Sequence, residues 1–173
     1  MECIMTLLSM CRRSLTFTSS SSSATAADAD AEARTPDLEL PAIFTEALLR
    51  KKIETYIDYW LVRGEEIGPS LRKAIEKSKI SVIIFSQNYA SSTWCLDELV
   101  HILRCKEAYG QLVIPVFYDI SPSDVQKQEG SYAVAFAQLE KRFKNSIDKV
   151  HKWRAALTTI ANLSGFDNSN KTG

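Results

Sequence analysis

Residues 80–86 read Ile80-Ser81-Val82-Ile83-Ile84-Phe85-Ser86, and residues 111–119 read Gln111-Leu112-Val113-Ile114-Pro115-Val116-Phe117-Tyr118-Asp119. Neither run alternates apolar with polar along its length, as a strand with one wet face does. Both are short, continuously apolar and rich in β-branched residues, the pattern of strands covered on both faces of a parallel sheet. Parallel neighbours need a crossover between them, usually a helix. The intervening chain supplies one, because Leu96, Leu99, Val100 and Leu103 recur at helical spacing within residues 95–109, and Gly110 ends the pattern.

The same alternation extends on both sides. Upstream, Pro69 precedes residues 70–78, where Leu71, Ala74 and Ile75 form a helical stripe; residues 53–58 (I-E-T-Y-I-D) alternate like a strand, and residues 43–50 read as the end of an amphipathic helix. Downstream, helices are predicted near residues 131–143 and 149–163, the second with Val150, Trp153, Leu157 and Ile160 on one face. Strand and helix in turn define an α/β fold built on a parallel sheet. Ligands of such open sheets bind beyond the carboxyl ends of the strands, which directs attention to residues 58–68, 86–95 and 119–130.

With 173 residues, 45% hydrophobic and 24% charged, the chain has room for one domain and an appendage. Lys plus Arg and Asp plus Glu both number 21, so no global basic field recruits nucleic acid or an anionic membrane. The apolar runs fall far short of the roughly 18 residues of a spanning helix, which predicts a soluble protein. Cys3, Cys11, Cys95 and Cys105 form no C-x-x-C pair and have only His101 and His151 as company. That pattern predicts no metal site and reduced thiols in a cytoplasmic setting. Residues 1–42, with the run Ser19 to Ser23 followed by Ala, Asp and Glu, read as a disordered tail. Its Ser-rich, acid-poor start also resembles a transit peptide, leaving the chloroplast as an alternative location. A secretory signal fits worse: the apolar stretch Cys3 to Met10 is short, and Arg12 and Arg13 follow it.

Neither G-x-x-x-x-G-K-[ST] nor G-x-G-x-x-G occurs, so nothing predicts a phosphate-cradling glycine loop. Glu98-x-x-His101 has no second copy, as a di-iron bundle would require. What remains is Ser91-Ser92-Thr93-Trp94-Cys95-Leu96-Asp97-Glu98-Leu99, directly after a buried strand. Ser and Thr there are helix-capping residues, and Asp97 and Glu98 suit the positive end of the helix dipole. Trp94 and Glu98, four residues apart, share a helix face. An aromatic platform beside a carboxylate at the binding edge of the sheet suits an aromatic or sugar-containing ligand. The capping account and the ligand account both stand on these residues.

Several long stretches carry a resemblance. Residues 81–99, then Val113-Ile-Pro-Val-Phe-Tyr-Asp-Ile-Ser-Pro-Ser-Asp-Val with Gln128-Glu-Gly-Ser, then Lys152-Trp-Arg-Ala-Ala-Leu and Ala161-Asn-Leu-Ser-Gly, closely resemble the Toll/interleukin-1 receptor (TIR) domain of plant disease-resistance proteins. Arg63-Gly64-Glu65-Glu66-Ile67 resembles that family's loop after the second strand. The likeness covers about residues 44–167. It implies a flavodoxin-like fold, immune signalling through self-association or other TIR-domain proteins, and cleavage of NAD, as substrate and not cofactor, at the nicotinamide-ribose bond. The catalytic glutamate falls on Glu98; Trp94, Arg63 and Ser91 are the implied substrate-binding residues. A non-catalytic adaptor or decoy acting through TIR-TIR contacts is the alternative.

The family's opening strand and its R-G-x-D-T-R loop have no counterpart in residues 37–43. The expected layout is therefore a tail over 1–42, a TIR domain over 43–167 with its first strand missing or replaced, and a disordered end over 168–173. Residues 14–18 (S-L-T-F-T) alternate as a replacement strand would, and the fifth strand would begin near Phe166. As read, the chain is a TIR-only protein, and a truncated product that does not fold is the third hypothesis.

Overall fold

The computed structural model describes residues 6–10, 43, 45–57 and 68–169, with residues 6–10, 56 and 57 described in backbone only. Five strands, β1 (Thr6–Met10), β2 (Thr55–Ile57), β3 (Ile80–Phe85), β4 (Leu112–Tyr118) and β5 (Phe166–Asn168), form one sheet in the order β2-β1-β3-β4-β5. Every described pairing is parallel. This is the flavodoxin-like 2-1-3-4-5 order. Helices α1 (residues 45–50), α2 (Pro69–Lys77), α3 (Thr93–Tyr109), α4 (Pro122–Lys127), α5 (Ser131–Arg142) and α6 (Ile147–Ala161) complete the fold.

The first strand is replaced, and the replacement comes from a stretch read as tail. Thr6–Met10 lies between β2 and β3, with Thr6 opposite both Thr55 and Ile80 and Met10 opposite Ile84. The backbone groups of β2 and β3 that would have faced a gap are thereby paired, which the cost of burying unpaired N–H and C=O groups demands. The apolar run Thr6-Leu7-Leu8-Ser9-Met10, too short for a secretory signal, is the right length for a strand. Residues 14–18 lie outside the described residues. At the other end, Val116, Phe117 and Tyr118 pair with Phe166, Asp167 and Asn168, so the fifth strand begins where the sequence places it. Asn168 belongs to that strand, and residues 170–173 lie outside the described residues.

Strand alternation divides the core. Ile83 and Phe85 of β3 and Val113 and Phe117 of β4 join the larger cluster under α3, α5 and α6, with Trp153, Tyr132 and Phe136 among its fully buried side chains. Val82 and Ile84 face the other way, toward Leu48 of α1 and the half-buried Ile114, Val116 and Tyr118. Two devices fix α3 in register. Ser92 caps its start, accepting from Cys95 N at 3.3 Å, and Gly110 closes its end with φ 69°, a left-handed conformation glycine adopts at no steric cost. The buried Gln111 then donates to the carbonyls of Ile75 and Ser78 at 2.7 and 2.6 Å, tying the end of α2 to the start of β4.

Candidate functional site

The carboxyl ends of β3 and β4 open into residues 86–92 and 119–121, and side chains across this edge lock the two loops together. Gln87 donates through Nε2 to both the backbone oxygen and Oδ2 of Asp119 at 3.2 Å, and Asp119 itself holds a left-handed φ of 55°. Helix α5 closes on the same edge: Ser131 Oγ donates to the Gln87 carbonyl at 2.7 Å, and Tyr132 OH to that of Ser86 at 3.0 Å. Tyr89, fully buried in the short 3-10 turn Tyr89–Ser91, donates its hydroxyl to the Cys95 carbonyl at 3.1 Å. The first turn of α3 is thus held from two sides.

Glu98 sits in the second turn of that helix and is 1% exposed, among the few buried polar residues described. Trp94, one turn earlier, is half-buried and packs against the larger core cluster. On α-helical geometry the two residues are about 6 Å apart along the axis and on one face. Ser91 is exposed in the preceding turn and donates its hydroxyl to the Asn88 carbonyl at 2.6 Å. The hydroxyl proton is therefore committed locally, and its oxygen lone pairs are what Ser91 can offer a ligand. Arg63 lies outside the described residues. The structure therefore brings Ser91, Trp94 and Glu98 onto one turn-and-helix unit. Gln87, Asp119, Ser131 and Tyr132 were not singled out from sequence; all four are placed by contacts spanning more than thirty residues, invisible to local spacing. The rule that ligands bind past the strand ends did mark the segments holding Gln87 and Asp119.

A carboxylate with almost no water around it acts in a medium of low effective dielectric, where its attraction for a nearby positive charge is much greater than on the surface. The site can therefore stabilise a cation or a cationic transition state. Among the described residues, no group of three or more His, Cys, Asp and Glu side chains is placed to hold a metal ion. Cys95 and Cys105 are free and buried; burial and the neighbouring Glu76 carboxylate push the Cys105 thiol above its ordinary pKa. At the far edge, hydrogen bonds from Ser169 lower the pKa of Asp167.

A parallel α/β domain in the 2-1-3-4-5 order, with a buried glutamate on the helix after its third strand, is the class these features define. The chain belongs to the TIR domain family, whose model it matches over residues 39–173. It is 55% identical over 120 residues to disease resistance protein RPV1 of Vitis rotundifolia, which covers 69% of this chain and 8% of that protein. It is 46% identical over 129 residues to TMV resistance protein N of Nicotiana glutinosa, 73% of this chain and 11% of that one. The chain thus spans about a tenth of the length of these plant relatives. Among solved structures it resembles the TIR domains of the activated Roq1 resistosome, which directly recognises the pathogen effector XopQ, with a TM-score of 0.76 and 40% identity over 96% of this chain and 88% of that one. No helix among the described residues is long and apolar enough to cross a membrane.

Proposed function

We propose that this chain is a plant immune-signalling TIR module that cleaves NAD at the nicotinamide-ribose bond, with Glu98 as the catalytic carboxylate. The observation that carries the reading is the placement of Glu98: buried, on the helix that follows a central strand, one turn beyond Trp94. The chemistry suits a single carboxylate. Cleavage of a glycosidic bond passes through an oxocarbenium-like state, and conventional glycosidases add a second carboxyl group to protonate the departing oxygen. Nicotinamide departs as a neutral molecule from a cationic ring and needs no such acid. One desolvated carboxylate can hold the ribose and oppose the charge developing on it. Trp94 would wall the substrate, Ser91 would accept a hydrogen bond from it, and Arg63 would be a further substrate-binding residue.

The test follows NAD loss by chromatography with the purified chain. Glu98→Ala and the isosteric Glu98→Gln should both abolish turnover while the melting transition survives; turnover persisting in both would sink the assignment. Trp94→Ala should weaken substrate binding, raising KM more than it lowers kcat. The resistosome assembly named for the solved relative supports a second reading, in which the module acts through contacts with other TIR domains and not by catalysis. Exposed Ile43 and Leu49 near and on α1 and Val134 on α5 offer apolar surface for such contacts. Co-precipitation with a full-length relative in the absence of any NAD consumption would favour it.

A further inference from the structure

We propose that the groove between α2, α3 and α6, away from Glu98, is a binding site for a compact, multiply charged phosphate compound. The groove has a volume of about 310 Å³, at the lower end of the range of small-molecule sites. Three helices contribute cations to its walls: Arg72 from α2, Arg104 from α3, and Lys149 and Lys152 from α6. Asp97 is the one carboxylate among its lining residues. Against these four cations stand Asp97 and, behind the lining His101, Glu76 at 3.5 Å from its Nε2, which leaves a local excess in a chain whose Lys plus Arg and Asp plus Glu balance at 21 each.

The floor is built so that the acid does not cancel the wall. Asp97 accepts from Trp153 Nε1 at 2.8 Å and pairs with Lys149 at 2.9 Å, so these two charges offset each other within the groove and Arg72, Arg104 and Lys152 carry its surplus. Lys149 is held further by the Trp153 ring, 5.2 Å from its ammonium. Trp153 is fully buried, which makes this part of the floor rigid. Arg104 and Lys152 form no ion pair among the described residues, and both are exposed at the groove. On α3 the lining residues Asp97, Val100, His101 and Arg104 follow three- and four-residue spacing and form one stripe. Glu98 is turned about 100° from Asp97 by the helical repeat, is 1% exposed and is not among the residues that line the groove. The groove is therefore separate from the carboxylate site, and its sign is opposite.

A guanidinium fork and an ammonium converging on one opening recognise phosphate oxygens, Arg by paired hydrogen bonds and Lys as a point charge. The opening is a bounded groove and not an extended stripe, which favours a compact ligand over a polymer. Phosphate of this kind occurs on free metabolites and on lipid headgroups, and the site is assigned to the free form.

The experiment titrates the 173-residue chain with inorganic tripolyphosphate by calorimetry and by amide chemical shift. Saturable binding is expected, weakening at least about tenfold in Arg104→Glu and in Lys152→Glu and falling as salt is raised. Lys141→Glu on α5 makes the same change in net charge outside the groove and should leave binding intact. Absence of saturation up to millimolar tripolyphosphate overturns the proposal. So does binding that Lys141→Glu weakens as much as the groove variants do, since the attraction would then be net charge alone. Binding to vesicles containing phosphatidylinositol phosphates without binding to tripolyphosphate also overturns it, in favour of a lipid surface. The melting transition of each variant identifies any loss caused by unfolding.

Discussion

At the scale of single residues, two side chains of the groove make separable predictions. Trp153 is buried to 0% exposure and its Nε1 donates to a charged acceptor, Asp97. Trp153→Phe keeps most of the packing and removes that bond, and a bond to a charged group is worth about 2 kcal/mol. The urea midpoint should fall accordingly. His101 is a question of sign. Burial, with the charges of Arg72 and Arg104, lowers its pKa below the ordinary 6.5, outweighing the Glu76 carboxylate 3.5 Å from Nε2 and a backbone hydrogen bond at Arg72. The fold therefore prefers the neutral ring. A depressed folded-state value means that the contribution is fully present above pH 6.5 and is lost as pH falls through the folded-state pKa. Melting temperature should consequently drop on acidification from pH 7 toward pH 5, and His101→Gln should flatten that part of the profile. An unchanged slope in the variant would assign the acid sensitivity to other groups.

At the scale of elements, the devices that hold α3 and β5 decide how well the edge of the sheet is presented. Ser92 is the N-cap of the helix that carries Trp94 and Glu98. Removing its hydroxyl in Ser92→Ala should cost about 1 kcal/mol, read as a lower denaturation midpoint, and should loosen the first turn enough to speed amide exchange there. Gly165 precedes β5 where the chain passes very close to β4: an added Cβ would lie 2.2 Å from the Pro115 carbonyl oxygen and 2.6 Å from its ring. Backbone cannot yield as a flexible side chain can, so Gly165→Ala should cost about 1–3 kcal/mol and deprotect the amides of Phe166, Asp167 and Asn168 first. Elements such as β3, β4, α3 and α6 were legible in the sequence because their apolar runs and stripes are long and their ends are marked by Ser92 and Gly110. Helix α4, six residues with one fully buried side chain, Val125, has too short a stripe to stand out. Glu98 and Trp94 could be paired by counting four residues, whereas the groove could not be foreseen, since Arg72, Arg104 and Lys152 come together only when three helices pack.

At the scale of the whole molecule, the central strand is the part that local reading misplaced. Periodicity reports on neighbours along the chain, but β1 ends at Met10 and its partner β2 begins at Thr55. Five residues ahead of a serine run carry no signal that they belong in the middle of a sheet. Their position makes them indispensable: β1 lies between β2 and β3, so removing it exposes a row of backbone donors and acceptors on each neighbour, not a trimmed edge. Parallel sheets also depend on cover over both faces, and loss of the central strand would open the side on which Val82 and Ile84 pack. A chain beginning at residue 11 should therefore lose cooperative thermal unfolding. The milder Leu8→Pro, which removes one ladder donor from a strand paired on both sides, should lower the melting temperature sharply without a change in chain length. If the chain beginning at residue 11 melted as sharply as the full chain, the strand at Thr6–Met10 would be dispensable, and the sheet would have to close by pairing β2 directly with β3.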